Sequence, residues 1–428
     1  MEKFFYLFVF VVPYLPPPMM FVVPLQAIFG AIFAFWLLVR SFLIRSWRMS
    51  PVIFCFWFLF AWLIAADLLN LARIGTWQEL RHTSGRLVFL VVTMTSFSVV
   101  KDPAHYRRVL KIMMASVVLL AAFTIFCAIT NYDPFQIMPR RPREFWGTSM
   151  VFRRTTGLDM SYGLYGIIIN SVLPLFLLSF WQKDFLIKKK WAALGILVLM
   201  AGLFISQSRN SWLATFVMLT FLASFLSLQS RNPFLKLMVI FGAGLTMLIA
   251  VAWGAGLLKS IFAGFALGRQ ATTFYRRLYI DQIVLDLFTR HWMFGVGHEA
   301  VTQEITRKVG MELVVHNGYL DQLASNGIFG FLPFISVMLL SLGVLWRMAR
   351  KGLPRLQPYA LCLACSLVAN MSILLAYKGF FAVTLAIEYG LMLSLVEFNE
   401  RKVPQEVPDV EVFSDLPPDH YLVRPGWK

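Results

Sequence analysis

Long blocks of apolar residues, separated by short polar segments, recur along the whole chain. An apolar block of about 18 or more residues is long enough to cross a bilayer as an α-helix. The pattern predicts about twelve spans, over residues 4–17, 20–44, 51–70, 87–100, 109–130, 158–181, 191–206, 212–228, 235–258, 328–346, 358–376 and 380–398. The predicted fold class is therefore an all-α polytopic membrane protein.

The composition agrees with this pattern, because 59% of the residues are hydrophobic and only 14% are charged. Four cysteines lie inside apolar blocks, so no disulfide framework is expected. Cys362 and Cys365 form a C-x-x-C within a predicted span, which we interpret as packing. No spacing of His, Cys, Asp or Glu resembles a metal site, and no metal or other cofactor is expected.

Clusters of Lys and Arg predict the orientation of the spans. They follow the second, fourth, sixth and tenth spans, at residues 40–48, 101–111, 183–190 and 347–355. Placing these clusters in the cytoplasm leaves both termini cytoplasmic. The chain then divides into residues 1–258 with spans one to nine, an outward loop at 259–325, residues 326–398 with the last three spans, and a cytoplasmic tail at 399–428.

The predicted outward loops hold a large share of the 39 Lys and Arg residues, among them Arg73, Arg81 and Arg86. Outward loops are normally poor in these residues. Arginine binds phosphate groups through a two-pronged guanidinium, so the pattern indicates a polyanionic ligand on the outward side. The alternative is that these arginines contact lipid head groups.

An amphipathic helix is predicted in the large outward loop, over residues 276–292. Its apolar positions recur at helical spacing, and its polar face carries Arg277 and Asp281 four residues apart. The Gly295-Val296-Gly297 stretch that follows is interpreted as a chain reversal.

Three arginine positions are candidate ligand contacts. Arg209 lies between two apolar spans, where an arginine either has a partner or a function, or extends to the lipid phosphates. Arg276 and Arg277 begin the amphipathic helix, and the alternative there is a solvated polar face. Arg154 precedes the sixth span within a generally basic loop.

His316 is a candidate general base, because imidazole titrates near neutral pH and accepts a proton from a hydroxyl. Asn317 is placed to cap the following helix, and Asp321 or Gln322 to orient the ring. The alternative is a structural histidine bonded to backbone. His298, in the same loop, is a competing candidate.

Taken together, these motifs resemble the O-antigen ligase and polymerase superfamily. The resemblance rests on S-x-S-R-x-S-W at 206–212, on an arginine that opens a helix before G-V-G, and on H-N-G-Y-L-D-x-L-x-x-N-G-x-x-G from 316 to 330. The R-x-x-G at 154–157 also fits. The similarity extends over roughly the central half of the chain.

The resemblance implies a membrane glycosyltransferase of GT-C-like helical architecture, independent of metal, in the bacterial inner membrane. Its donor would be a glycan on polyprenyl (undecaprenyl) pyrophosphate, used on the periplasmic side with inversion at the anomeric carbon. Carried over by position, Arg209 and Arg277, or Arg276 in its place, would bind pyrophosphate. His316 would be the catalytic base, with Arg154, Asn317, Asp321 and His298 as further donor or acceptor contacts.

Two acceptors fit this expectation. An O-antigen ligase would use lipid A–core, whose phosphates suit a basic outward surface, and a polymerase would use a second lipid-linked repeat. Membrane lipids are expected partners, and nucleic acid is not. A transporter or flippase is the alternative of a different class, and Asp67 is one of the few ionisable groups inside a predicted span.

Overall fold

The computed structural model describes residues 2–14, 50–130, 132, 143–144, 151–152, 162–182, 185–206, 208–229, 244, 269–310, 313, 315–375, 377 and 382–401. The predicted spans at 20–44 and 235–258, and nearly all of the predicted tail, lie outside this set. Arg154 lies outside it as well.

Within the described residues the protein is helical apart from one pair of two-residue antiparallel strands. The helices are α1 Glu2–Val11, α2 Pro51–Ile74, α3 Trp77–Val99, α4 Pro103–Thr130, α5 Tyr162–Trp181, α6 Lys189–Ile205, α7 Arg209–Gln229, α8 Arg269–Arg290, α9 His298–Val309, α10 Gly318–Lys351, α11 Gln357–Leu374 and α12 Val383–Arg401. Strands β1 Arg143–Glu144 and β2 Val151–Phe152 pair with Arg143 opposite Phe152.

Six of the described helices are long and apolar enough to cross a membrane. The stretches concerned are Pro51–Ile74, Pro103–Thr130, Gly163–Trp181, Asn210–Leu228, Gly318–Lys351 and Gln357–Leu374. The all-helical multi-pass class is therefore confirmed, whereas the number of about twelve spans stays a prediction. Helix α1 has 10 residues, which at about 1.5 Å per residue is too short to cross a bilayer alone.

Helix α11 lies at the centre of the bundle, packed against α5, α7 and α10. Its apolar stretch is 83% buried, whereas that of α2 is 33% buried. A helix that is apolar all round and buried all round belongs to the interior of a bundle, and one with an exposed apolar face borders lipid.

A tight connection joins α2 to α3. Gly75 ends α2 in the left-handed conformation (φ 67°), and its N–H donates to the Leu71 carbonyl at 2.8 Å. Thr76 then caps α3, because its hydroxyl accepts from the Glu79 N–H at 3.4 Å. The two helices therefore run side by side and present Asp67 and Arg86 to each other.

Helix α10 is broken near one end. It has 34 residues, about 51 Å at 1.5 Å per residue, which exceeds the roughly 30 Å apolar thickness of a bilayer. Gly327 interrupts it with φ 58° and ψ −165°. The span predicted from residue 328 therefore begins at the break, and residues 318–326, which the sequence placed in the outward loop, form a helical arm before it.

A second, smaller core sits beside the bundle. It contains Ile280, Ile283, Val284, Val301, Ile305, Val315 and Ala324, and we call it the loop core. The predicted amphipathic helix is confirmed as α8, with a longer N-terminal part. Helix α9 was not predicted, although Val301 and Ile305 stand at helical spacing on its buried face.

Candidate functional site

The Gly295-Val296-Gly297 turn docks onto the break in α10. The N–H of Val296 donates to the Ala324 carbonyl at 3.0 Å, and that of Gly297 donates to the Ser325 carbonyl at 2.8 Å. In return, the N–H of Ile328 donates to the Trp292 carbonyl at 2.7 Å. Backbone groups released by the broken helix thus find partners in the turn, as buried backbone must.

Three glycines make this docking possible. Gly295 and Gly297 have φ values of 68° and 86°, and Gly327 has 58°, all in the region that side chains other than glycine rarely adopt. A Cβ on Gly295 would meet the Ser325 backbone, and one on Gly327 would meet the Met293 backbone. The interpretation of Gly295 and Gly297 as a simple chain reversal is therefore incomplete, because the turn is a docking element.

A buried ionic cluster lies beneath the turn, centred on Arg86. Its Nη1 contacts Asp67 Oδ1 at 2.5 Å, and its Nη2 lies 2.9 Å from His298 Nε2. The same Nη2 donates to Gln322 Oε1 at 2.9 Å. Asp67 and Arg86 are 4% and 3% exposed, so the bundle helices α2 and α3 hold α9 and α10 through desolvated polar contacts. We call this set the arginine cluster.

Further polar contacts extend the arginine cluster. Asp321 Oδ2 lies 3.3 Å from His298 Nδ1, so the two ring nitrogens face a carboxylate and a guanidinium. Asn70 Nδ2 donates to the Ser325 carbonyl at 2.9 Å. Glu79 Oε1 accepts from the N–H of Glu299 at 2.8 Å, at the start of α9, where a negative group is favoured by the helix dipole.

Sequence analysis predicted that Arg86 is one of the outward basic residues that bind a polyanionic ligand. In the structure, Arg86 is instead paired with Asp67. Sequence analysis also predicted that Asp321 or Gln322 orients the His316 ring. The structure shows Asp321 against His298 and Gln322 against Arg86. The sequence signal for this arrangement was one acidic residue, Asp67, inside an apolar span.

His316 lies at the entrance to the helical arm of α10. Asn317 caps that arm, as predicted, because its Oδ1 accepts from the N–H groups of Tyr319 at 3.0 Å and Leu320 at 3.2 Å. On the other side, Val315 is 2% exposed and packs in the loop core. The half-buried His316 is therefore fixed by a neighbour on each side.

Arg209 is the first residue of α7, and its side chain lies outside the described set. The residues around it form a tight connection between α6 and α7. The hydroxyl of Ser211 donates to that of Ser208 at 2.7 Å, and Trp212 Nε1 donates to the Leu203 carbonyl at 2.9 Å. This explains why the S-x-S-R-x-S-W motif suits a helix that begins at the arginine.

Helix ends converge near Arg209 and His316. A Cβ on Gly166 would meet Ser211, so α5 approaches the start of α7 closely. A Cβ on Gly163 would meet the Tyr377 ring, just beyond the end of α11. Tyr319 in turn donates its hydroxyl to the Met371 carbonyl at 2.9 Å. The starts of α5, α7 and α10 and the end of α11 therefore lie at one end of the bundle, which carries both predicted residues.

Arg276 and Arg277 differ in their surroundings. Arg276 is exposed, whereas Arg277 is half-buried, and its Nε has no hydrogen-bond partner among the described residues. Burial lowers the pKa of Arg277, and the Asp281 carboxylate opposes this shift. A partly desolvated guanidinium with an unused donor gains more from an anionic ligand than an exposed one.

The fold and this site define a multi-pass helical membrane protein with a polar, arginine- and histidine-bearing site at one end of its bundle. Residues 193–335 match the family model described as O-antigen ligase. This segment includes Arg209, Arg277 and His316, and the match supports the predicted resemblance to the O-antigen ligase and polymerase superfamily. No curated protein matches the chain.

Proposed function

We propose that this protein transfers a glycan en bloc from polyprenyl pyrophosphate to an acceptor hydroxyl, on the periplasmic side of the bacterial inner membrane. The observation that carries the proposal is the placement of Arg209 and His316 at one bundle end, within the segment that matches the O-antigen ligase family. Both termini would then be cytoplasmic.

The arginines act on the leaving group. Breaking the sugar–phosphate bond leaves negative charge on pyrophosphate, and preorganised guanidinium groups stabilise that charge in a site shielded from water. We assign this role to Arg209 and Arg277. Arg277 is favoured over Arg276 because its side chain is half-buried with an unused N–H.

His316 acts on the acceptor. The acceptor hydroxyl must lose its proton as its oxygen attacks the anomeric carbon from the face opposite the leaving pyrophosphate, which inverts the configuration. An imidazole at the entrance of the helical arm accepts that proton. His298 is less suited to this role, because it is 5% exposed with both ring nitrogens close to charged groups.

The arginine cluster has a supporting role in this proposal. Arg86 and Asp67 belong to the bundle, whereas His298 and Asp321 belong to residues 269–326, which we call the loop unit. The cluster therefore fixes the arm that carries His316 relative to the helices that carry Arg209. Asn317, placed earlier among substrate contacts, has its amide oxygen engaged in capping.

We favour lipid A–core as the acceptor, because its phosphates suit the basic outward surface. A polymerase that joins lipid-linked repeats uses the same donor and the same chemistry. Incubating the purified protein with a polyprenyl-pyrophosphate glycan, and with either lipid A–core or a second lipid-linked repeat, separates the two by product size.

The decisive variant is His316→Ala, with His291→Ala as the matched control, since His291 is exposed in the same loop unit. Transfer should be lost in the first and kept in the second, with donor binding retained in both. Unchanged transfer by His316→Ala, in protein that is folded and binds donor, would exclude His316 as the base. Lipid translocation without transfer by the unmodified protein would favour the transporter alternative.

A further inference from the structure

A carboxyl group is buried in the bundle, apart from the residues assigned to transfer. Glu388 lies on α12 and is 6% exposed, between Ile387 at 0% and Tyr389 at 3%. Sequence analysis named Asp67 as an ionisable group inside a span and missed this one. Asp67 is paired with the guanidinium of Arg86, whereas no ion pair to Glu388 is found among the described residues.

Hydroxyl groups, and not cations, surround Glu388. Ser366 on α11 donates its hydroxyl to Glu388 Oε2 at 2.8 Å. The hydroxyl of Ser171 on α5 lies near the carboxyl and donates to the Ile167 carbonyl at 2.9 Å. Asn370 Nδ2 donates to the Ser366 oxygen at 3.3 Å. Glu388 Oε1 and Asn370 Oδ1 have no partner among the described residues.

The other groups that face Glu388 are also uncharged. The titratable side chains that interact with Glu388 are the phenols of Tyr106 on α4 and Tyr389 on α12. Helix α10 contributes Ser341, and α3 faces the neighbouring Gly390 through Thr93 and Ser96. Within the described part of the chain, Glu388 is paired with no Lys, Arg or His.

A small cavity adjoins the carboxyl group. It is lined by Glu388, Tyr389 and Ser341 together with apolar side chains, and its free volume corresponds to about one water molecule. A polar lining of this kind holds water, whereas a purely apolar cavity of this size stays empty. The unpartnered Oε1 thus has a place for a hydrogen-bond partner.

An ionised carboxylate in these surroundings is costly, because one hydroxyl bond replaces only part of its hydration and no positive charge among the described residues balances it. We propose that Glu388 is an intramembrane proton-binding site, a neutral carboxylic acid whose O–H donates to a water molecule in the adjoining cavity. The ligand of the site is one exchangeable proton. A hard metal cation takes about six oxygen ligands, whereas Glu388 is the single carboxyl group among the described residues that line this cavity.

The first test is chemical and uses the unmodified chain in detergent. An apolar carbodiimide adds to a carboxylic acid only when the acid is protonated, giving an acylurea that peptide mass spectrometry locates. We expect an adduct on Glu388 at neutral pH that declines as the pH rises, with sodium ions having no effect. Absence of the adduct, or protection by sodium, would overturn the proposal in favour of an ionised or cation-filled site.

The second test is infrared spectroscopy of Glu388→Gln, with Glu397→Gln as the matched control on the same helix. Glu397 is ion-paired with Arg401 near the end of α12. The carbonyl band of a protonated carboxyl should disappear in Glu388→Gln, shift in heavy water in the unmodified protein, and persist in Glu397→Gln. A carboxylate band lost in Glu388→Gln would contradict the assignment. Neither test uses the transfer reaction, so the outcome is independent of the proposed function.

Discussion

His298 and His316 both lie in the loop unit, yet their surroundings differ. His298 is 5% exposed, and its ring sits between Arg86 and Asp321. His316 is half-buried at the mouth of the helical arm, next to the capping Asn317. A buried imidazole held by two charged groups supports structure, whereas a partly accessible one on a fixed backbone can meet a substrate. His298 therefore maintains the structure of the site, whereas His316 is the candidate for its chemistry.

The largest expected effect is on the turnover rate and concerns His316. His316→Ala should reduce the turnover rate by about 10²- to 10⁴-fold, because general-base catalysis contributes on that scale. Thermal stability should stay unchanged, since the backbone is held by Val315 and Asn317. Rates and melting temperatures of purified variants check this. If His316→Ala also lowered the melting temperature substantially, His316 would be a structural residue like His298.

The next effect is on stability and concerns the arginine cluster. Arg86→Gln leaves Asp67 buried without its counter-charge and should cost about 3–5 kcal/mol of stability. Arg290→Gln is the control, because it removes an exposed pair with Asp286 worth about 1 kcal/mol or less. Chemical denaturation in detergent measures both. If the two variants lost equal stability, the arginine cluster would not hold the loop unit on the bundle.

A smaller effect separates the two adjacent arginines. Arg277→Ala should weaken donor binding and transfer by about 10- to 100-fold, a loss of roughly 1.5–3 kcal/mol that is typical of hydrogen bonds to charged groups. Arg276→Ala should change either by less than about twofold, since an exposed charge contributes little. Binding of a labelled polyprenyl-pyrophosphate glycan measures this. A larger effect at Arg276 would reverse the assignment.

The smallest effect concerns the cap of the helical arm. Asn317→Ala should cost about 1 kcal/mol of stability, because two N–H groups lose their acceptor. Asn317→Ser restores a capping oxygen and should recover most of it. If Asn317→Ser recovered stability but not transfer, the amide would contact substrate as well as cap the arm.

The sequence predicts best what depends on local pattern. Apolar blocks located the described spans, although α3 and α10 begin at Trp77 and Gly318, well before the predicted residues 87 and 328. Apolar spacing located α8, and Asn317 was recognised as a cap. Helix α9 was missed because its polar face dominates a short segment, EAVTQEITRK, in which only Val301 and Ile305 mark the buried side.

What the sequence could not predict depends on contacts between distant segments. Arg86 resembled the other arginines of the predicted outward loops, since nothing local shows that it lies against Asp67 and His298. Glu388 was missed for the same reason, because its burial depends on α5 and α11, which are far away in the chain. The arginine and histidine roles came from motif resemblance, and their mutual distances stay a prediction.

The break at Gly327 gives the histidine motif a fixed length. The arm between the cap residue Asn317 and the break at Gly327 comprises residues 318–326, which at about 3.6 residues per turn is about two and a half turns. Inserting or deleting one residue there would rotate the imidazole by about 100° around the arm, while leaving every side chain in the motif present. Functional variants of this segment should therefore tolerate exchanges of residue type far better than changes of residue number.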